Sequence, residues 1–319
     1  QATASLPASR LNPVARTSDL DGIDQPIAAL RSKKDERLTV DVTEAMTTNE
    51  SFFFRDNRPF EQFKEIVLPH LLEARAARKQ IRIWSAACSS GQEPYTLAMM
   101  LKDEAARLAG WRVEIVATDL SNEILKKAKE GLYSQFEVQR GLPVTLLMKY
   151  FAQEGEKWRI SEDIRRMVTY KTFNLLDSPS TLGQFDVVFC RNVLIYFQPA
   201  MQARVLALFH FGLRTGGLLF LGPSETLGRL EDEFESVSAS ARIFTKRRDL
   251  RLASHPGLMS VRVGADSRSH AQPVASHRQR ANAATYEALL KRYMPASFVL
   301  DHSFQLLHSF GGAERFLSI

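Results

Sequence analysis

The run from Ile81 to Tyr95 reads Ile-Arg-Ile-Trp-Ser-Ala-Ala-Cys-Ser-Ser-Gly-Gln-Glu-Pro-Tyr: a short apolar strand, seven consecutive small residues, and a helix opened by Glu93 and Pro94. Small side chains are what a turn needs when a ligand must approach its backbone closely. Proline suits the first turn of a helix, because it has no N–H to leave unpaired there. In doubly wound α/β folds the ligand lies over this first turn, at the carboxyl ends of the strands. A tightly packed strand-to-helix loop is the plainer alternative, but packing alone rarely calls for so long a run of small residues. The turn lacks the spaced glycines of a dinucleotide site, and Glu93 at the helix start would repel a pyrophosphate. A cationic cofactor would not be repelled. S-adenosylmethionine, with a sulfonium, an amino group and no phosphate, fits an acidic small-residue turn. Asp119 ends the next strand, 38 positions after Ile81. An acid there can accept hydrogen bonds from both ribose hydroxyls of an adenosine, or it can simply precede the helix that starts after Ser121.

Two other clusters carry polar groups into an apolar setting. Thr47-Thr48-Asn49-Glu50-Ser51-Phe52-Phe53-Phe54-Arg55 is neither a clean helix nor a clean strand; a helix cap followed by core aromatics and a ligand-contacting segment account for it equally well. Phe189-Cys190-Arg191-Asn192-Val193-Leu194-Ile195-Tyr196-Phe197 delivers Arg191 and Asn192 at the end of an apolar strand, where catalytic groups sit in this architecture, although a strand-end salt bridge also uses an arginine. Asn174-Leu175-Leu176 ends a further strand and could meet an adenine edge. The seven histidines show no metal-ligand spacing, and neither a P-loop nor a GxSxG turn is present. Cys88 and Cys190 flank the proposed site without a partnered histidine and read as small packing residues.

The elements that must hold these groups follow from the apolar pattern. Apolar residues at Phe60, Phe63, Ile66, Val67, Leu71 and Leu72 predict a one-sided helix over Pro59–Ala77, preceded by short helical patterns at Pro26–Leu30 and Asp41–Met46. From Ile81 strands and helices alternate: Ile81–Ser85, Glu93–Leu108, Val113–Ala117, Asn122–Glu130 (capped by Ser121, stopped by Gly131), Phe185–Cys190, Ala200–Leu213, a Gly216-Gly217 turn and Leu218–Leu221. That order implies α/β architecture with a parallel, doubly wound sheet. Leu132–Lys171 interrupts it, with Thr145–Phe151 helical and Trp158–Ile160 and Met167–Phe173 read as a small antiparallel excursion. A hairpin of Phe234–Val237 and Arg242–Lys246 closes the sheet.

The expected divisions are a helical region over 1–77, a catalytic domain over 78–246 with its β-subdomain within 132–173, a flexible linker over 247–282, and a partial domain over 283–319. In that last piece Tyr286–Tyr293 reads as helix, and Ser297–Leu300 and Gln305–His308 as a hairpin. The start has neither an initiator Met nor a signal-peptide pattern and reads as lying inside a longer chain. No stretch approaches the roughly 20 apolar residues of a membrane helix, so no membrane insertion is expected. Two cysteines without CxxC spacing point to a reducing cytoplasm. The net charge of +6 hints at nucleic acid, but Lys246–Arg280 alone holds eight basic against two acidic residues. The whole excess therefore lies in that stretch, almost all of it linker, and no nucleic-acid partner is expected.

Taken together, Thr47–Arg55, Trp84–Tyr95, Ala117-Thr118-Asp119 and Phe189–Phe197 resemble, in order and spacing, the CheR-type chemotaxis receptor methyltransferases over roughly residues 6–246. The resemblance implies a Rossmann-like S-adenosylmethionine-dependent methyltransferase with a small helical N-terminal region and a small antiparallel β-subdomain. It implies methyl transfer to glutamates on the cytoplasmic domain of a chemoreceptor, with S-adenosylhomocysteine as product and the methyltransferase domain a monomer. Carried over by position, Asn49, Ser51, Arg55, Glu93, Asp119, Asn174, Leu175, Arg191 and Asn192 look like cofactor contacts, and Tyr196, with Arg55, like the groups near the transferred methyl. Ser51 stands where the family usually has Thr and keeps the hydroxyl. Residues 283–319, through Gly311-Gly312-Ala313-Glu314-Arg315-Phe316-Leu317, resemble the opening of a PAS sensor domain.

A glutamate acceptor has a reference pKa near 4.3 and is already ionised at neutral pH, so no catalytic triad is expected. An arginine fork at Arg55 or Arg191 could orient the acceptor carboxylate. Two other classes compete: a module that senses S-adenosylmethionine without turnover, against which Arg191, Asn192 and Tyr196 stand as a set, and a nucleic-acid methyltransferase, for which no Asn/Asp-Pro-Pro-Tyr motif is present. Asp119→Ala is expected to abolish S-adenosylmethionine binding while the chain stays folded; unchanged affinity by calorimetry would contradict this.

Overall fold

The computed structural model describes residues 2–17, 36–249, 297–300 and 306–310. Its strands up to the linker are β1 (Gln80–Ala86), β2 (Arg112–Asp119), β3 (Leu132–Ser134), β4 (Phe151–Glu154), β5 (Lys157–Ile160), β6 (Val168–Thr172), β7 (Phe185–Cys190), β8 (Leu213–Leu221), β9 (Phe234–Ser238) and β10 (Ile243–Lys246). Seven of them form one sheet in the order β6-β2-β1-β7-β8-β10-β9. The first five run parallel, and β10 and β9 close the edge antiparallel. Strand order reverses between β1 and β7, and ligands of open α/β sheets bind beside such a reversal.

Both faces of the sheet are covered. Ile81 and Ile83 of β1, Val187 and Phe189 of β7 and Leu218 and Phe220 of β8 belong to one apolar cluster, while Trp84, Ala86, Val188, Cys190, Leu219 and Leu221 belong to another. That period of two, with both sets apolar, is what a central parallel sheet demands. The helix Arg58–Gln62, a π turn at Phe63–Val67 and the helix Leu68–Ala74 pack Phe60 and Phe63 onto Phe189, with ring centroids 6.1 and 5.9 Å away. Ile66, expected on the buried face, is 44% exposed. The wider π turn rotates it off the face that the 3.6-residue period selects.

The expected strands and helices recur with three corrections. Met167–Phe173 does not belong to an antiparallel excursion: β6 pairs parallel with β2 at the edge of the main sheet, and only β3, β5 and β4 form the small antiparallel sheet. Gly216-Gly217 is not a turn before a strand. It lies inside β8, with Gly216 at φ +73°, where the pairing with β7 skips register between Phe185 and Val187. The helix expected over Glu93–Leu108 spans Gln92–Asp103. The helix Asn122–Glu130 has the expected ends, with the Ser121 hydroxyl accepting from Ile124 N–H and Gly131 left-handed.

At the amino end of the strands Asp186 is fully buried, and accepts from Arg75 Nε at 2.7 Å, Arg214 Nη1 at 2.7 Å and the Arg82 backbone N–H at 2.9 Å. Pro26–Leu30, the linker beyond residue 249 and Tyr286–Tyr293 lie outside the described residues. Within 283–319 the described residues are two antiparallel strands, β11 (Ser297–Leu300) and β12 (Leu306–Phe310), in a unit of their own. Among the described residues no helix is long and apolar enough to cross a membrane.

The helix Pro199–Gly212 ends against Lys246, whose buried ammonium donates to His210 O and Leu213 O, each at 2.7 Å. The His210 ring is buried edge-on to Phe234, and its Nε2 has no partner. Desolvation first, then the Lys246 charge, lower its pKa from 6.5 to about 4. The unfolded chain therefore takes up a proton before the folded one does, and stability falls as pH drops from 6.5 toward 4. The loss is expected to be on the order of 3 kcal/mol. Urea midpoints at pH 7 and pH 4.5 (roughly the two ends of that window) should converge in His210→Phe; an undiminished drop would contradict the assignment.

Candidate active site

A cavity of about 260 Å³ opens at the carboxyl ends of β1, β2 and β7. Asn49, Ser51, Arg55, Glu93, Asp119, Asn174, Leu175, Arg191, Asn192 and Tyr196 all line it, so every site residue expected from the sequence comes to one place. They arrive from five separate stretches of chain.

The small-residue turn explains itself in its dihedral angles. Ala87, Ser89 and Gly91 have φ of 56°, 50° and 91°, a left-handed sequence that large or branched side chains resist. A Cβ on Gly91 would meet Tyr170 Oη at 2.7 Å and Tyr133 Oη at 3.3 Å. The Tyr133 hydroxyl, in turn, donates to Ser90 O at 2.8 Å. The turn therefore hangs between the strand end and tyrosines from β3 and β6. Its Ser89 N–H donates to Asp119 Oδ2 at 2.8 Å, and Ser121 N–H to Asp119 Oδ1 at 3.1 Å.

Besides Glu50, which pairs with Arg140, two acids face the cavity in different company. Burial raises the Asp119 carboxyl pKa despite those backbone N–H donors. Burial also raises that of Glu93, against the pull of the Arg191 charge and the Ser85 hydroxyl, which donates at 2.8 Å. Raised carboxylates in an enclosed site await donors or a cation. Arg191 is buried, and its guanidinium is spent inside the protein: Nη2 donates to Asp56 Oδ2 and Arg55 O, each at 2.8 Å, and Nη1 to Glu93 Oε2 at 3.4 Å. It is not available as a fork for an acceptor carboxylate, which leaves Arg55. The Arg55 side chain is half-buried, with Nη1 donating to Glu50 O at 3.0 Å.

Asn192 is left-handed at φ 59°, and its Oδ1 is buried without a partner, as is Arg191 Nε. The orphaned acceptor Asn192 Oδ1 and the two raised carboxylates fit the amino and sulfonium groups of S-adenosylmethionine, whereas the orphaned donor Arg191 Nε fits an acceptor such as its carboxylate. Asn174 is exposed, with its Oδ1 taken by Leu176 N–H at 3.0 Å, so it offers a ligand its amide NH2. Phe52, Phe173, Leu175, Val193 and Phe197 supply the apolar part of the lining. Tyr196 is 62% exposed. Burial raises the thiol pKa of both Cys88 and Cys190, which keeps them protonated and suits packing rather than attack.

The sequence did not single out four residues that shape this site. Arg10 Nη1 donates to Met46 O, Thr47 O and Thr48 Oγ1 at 3.1 to 3.3 Å and so fixes the start of the 47–55 segment. Glu44, on the helix Glu36–Met46, accepts from the Ser121 hydroxyl and from Asn122 N–H at 2.7 Å, which docks that helix over the end of β2. Tyr133 is the third. Glu225 is the fourth, buried in the turn after β8 and accepting from the N–H groups of Val193 and Leu194. Only Glu225 has a local signal, the Gly222-Pro223-Ser224-Glu225 turn at a strand's carboxyl end.

Comparison with known proteins bears on the same segments. The family described as CheR methyltransferase, SAM binding domain, matches residues 49–243. Chemotaxis protein methyltransferase 1 of Pseudomonas aeruginosa is 43% identical over 75% of this chain and 88% of its own length. Chemotaxis protein methyltransferase Cher2 of Pseudomonas putida is 40% identical over the same shares. A Rhodobacter capsulatus protein named as an uncharacterized 104.1 kDa protein is 35% identical over 84% of this chain and 28% of its own length. The matched span begins at Asn49 and takes in the small-residue turn, the cavity acids and the loop after β7; by this match the chain belongs to the CheR methyltransferase family.

Proposed function

We propose that this protein transfers a methyl group from S-adenosylmethionine to glutamate carboxylates of a chemoreceptor's cytoplasmic domain, forming methyl esters in chemotactic adaptation. The observation that carries the reading is the convergence of ten residues from five stretches on one acidic, partly apolar cavity. The relatives named as chemotaxis protein methyltransferases supply the acceptor class. We place the protein in the cytoplasm, with the methyltransferase domain a monomer and residues 283–319 the opening of a PAS-like sensor.

When bound, the cofactor supplies a methyl group on positively charged sulfur. Asp119 would hold the ribose hydroxyls, since its two oxygens already lie where backbone N–H groups converge. Glu93 would face the cationic end, with Arg191 limiting the cost of its burial. Asn49, Ser51 and Asn192 offer polar groups around the same cavity, and Asn174 and Leu175 border the part suited to a base. Tyr196 at the exposed rim and Arg55, which lines the same cavity, would meet the acceptor. The acceptor carboxylate is ionised at neutral pH, so the protein needs no base; it aligns the attacking oxygen and excludes water. A single arginine at the rim suits this task, because a tighter clamp would stabilise the ground state along with the transition state.

Labelled cofactor incubated with receptor membranes should place label on the receptor, released by mild alkali as methyl esters are. Alkali-stable label, label on added nucleic acid, or cofactor binding without transfer would overturn the proposal. A second expectation concerns acid. Protonating Glu93 and Asp119 removes the negative charge that attracts the cofactor, and their raised pKa values bring that loss to higher pH than in ordinary carboxylates. Cofactor affinity by calorimetry should therefore fall on acidification, starting at a higher pH than the ordinary carboxylate range would set. Glu93→Gln should remove most of that slope; a slope unchanged by the substitution would refute it.

A further inference from the structure

We propose that Glu225 is a positioning residue for methyl transfer, holding the loop that carries Asn192 and Tyr196 in its working conformation; this rests on the function proposed above. Glu225 lies outside the cavity lining. It is 3% exposed, and among the described residues it has no ion-pair partner. What compensates its burial is a set of three backbone donors: Val193 N–H at 2.8 Å, Leu194 N–H at 2.7 Å and Gly222 N–H. Two of the three come from the loop after β7, and the third from the turn after β8. One side chain thus ties the ends of adjacent parallel strands together.

The tie acts on a segment that has little else to define it. After Asn192 in its left-handed conformation, the loop forms a single 3-10 turn, Leu194–Tyr196, too short to hold itself. Its N–H end is capped by the Glu225 carboxylate. Its carbonyl end is gripped from the other side by Gln202, whose Nε2 donates to Leu194 O and Phe197 O, each at 3.0 Å. Close approach of the two strand ends is required for this arrangement. A Cβ at Gly222 would meet Asn192 N at 2.7 Å and Glu225 Oε2 at 2.8 Å, so the position admits only glycine without a shift.

A neutral amide in place of the carboxylate keeps the shape but turns an NH2 toward one of the backbone donors. The loop must then move. Since transfer to a sulfonium methyl depends on alignment, a displacement of about 1 Å can cost on the order of a hundredfold in rate. Asn192 is the cofactor contact in this loop; Glu93, Asp119 and the 47–55 segment lie outside it and are not hydrogen-bonded to Glu225, which reaches Glu93 only through its charge, so cofactor affinity should change much less than the rate.

The test compares Glu225→Gln with Asp186→Asn, a substitution of another buried carboxylate at the opposite end of the strands. Melting temperature, cofactor affinity by calorimetry, and kcat and KM with receptor membranes are measured at a temperature where each variant is folded. Glu225→Gln should lower kcat by about a hundredfold with less than about a tenfold change in cofactor affinity. Asp186→Asn should lower the melting temperature at least as much and leave kcat near that of the unsubstituted protein. Equal kcat for Glu225→Gln, or matching losses in both variants, would overturn the proposal. Should Glu225→Gln not fold, Glu225→Asp, which keeps the charge and shortens the reach, is read against the same criterion. Failure of the unsubstituted protein to methylate receptors would refute the function itself; transfer that survives in Glu225→Gln refutes only the role of Glu225.

Discussion

A guanidinium buried at the carboxyl end of β7 organises the whole site. Arg191 reaches back to Asp56 and to the carbonyl of Arg55, sideways to Glu93 at the head of the next helix, and lies 5.2 Å from the Phe60 ring centroid. It thereby joins the sheet, the helix that follows the small-residue turn and the N-terminal segment, alongside the Ser89 hydroxyl's bond to Asn49 O and the packing of Phe60 and Phe63 on Phe189. A charge so buried is tolerable only when its donors are met, and breaking such a set by removing one member typically costs about 3–5 kcal/mol. Its Nε is buried without a partner, and Arg191 is among the residues lining the cavity.

The second constraint is that the cavity has a rigid side and an irregular one. Strand ends and the Cys88–Gly91 turn make the first. Residues 47–55 make the second, and their order is imposed from outside: Arg10 holds the start, Glu44 anchors the preceding helix over β2, and the Arg140 guanidinium lies 4.2 Å over the Phe52 ring while pairing with Glu50. Phe53 is the exception, fully buried and edge-on to Tyr133 and Phe151. It drives a single apolar anchor into the small subdomain, while Phe52 lines the cavity and Phe54 packs edge-on to Phe60 with ring centroids 5.7 Å apart. The three consecutive phenylalanines thus point to three different environments, which is why neither period describes them.

What the sequence made legible is what local physics decides. The small-residue turn, the capped helix after Ser121 and the apolar strand before Arg191 each carry a signal within a dozen residues, and the ten residues carried over from the family resemblance are among those lining the cavity. What it left unread depends on contacts across long separations. β6 shows a β-branched and aromatic pattern with exposed positions, as an edge strand does, and nothing local says whether its partner is parallel or antiparallel. Gly216-Gly217 looks like a turn because a bulge uses the same residue. Arg191 reads as a possible substrate fork until Asp56 and Glu93 are seen to occupy it. Glu225 serves residues more than thirty positions away, and its own turn gives no hint of that service.

The crowding beneath the cofactor turn has an evolutionary consequence. Gly91 meets the hydroxyls of Tyr170 and Tyr133, which belong to different strands and to different sheets. None of the three positions is at liberty to drift alone: a larger residue at 91 demands a smaller one at 170, and losing the 133 hydroxyl unhooks the turn at Ser90. Among distant members of the family these positions should vary as a unit or not at all. The small subdomain, which looks like a detachable insertion, is therefore bound to the history of the cofactor turn.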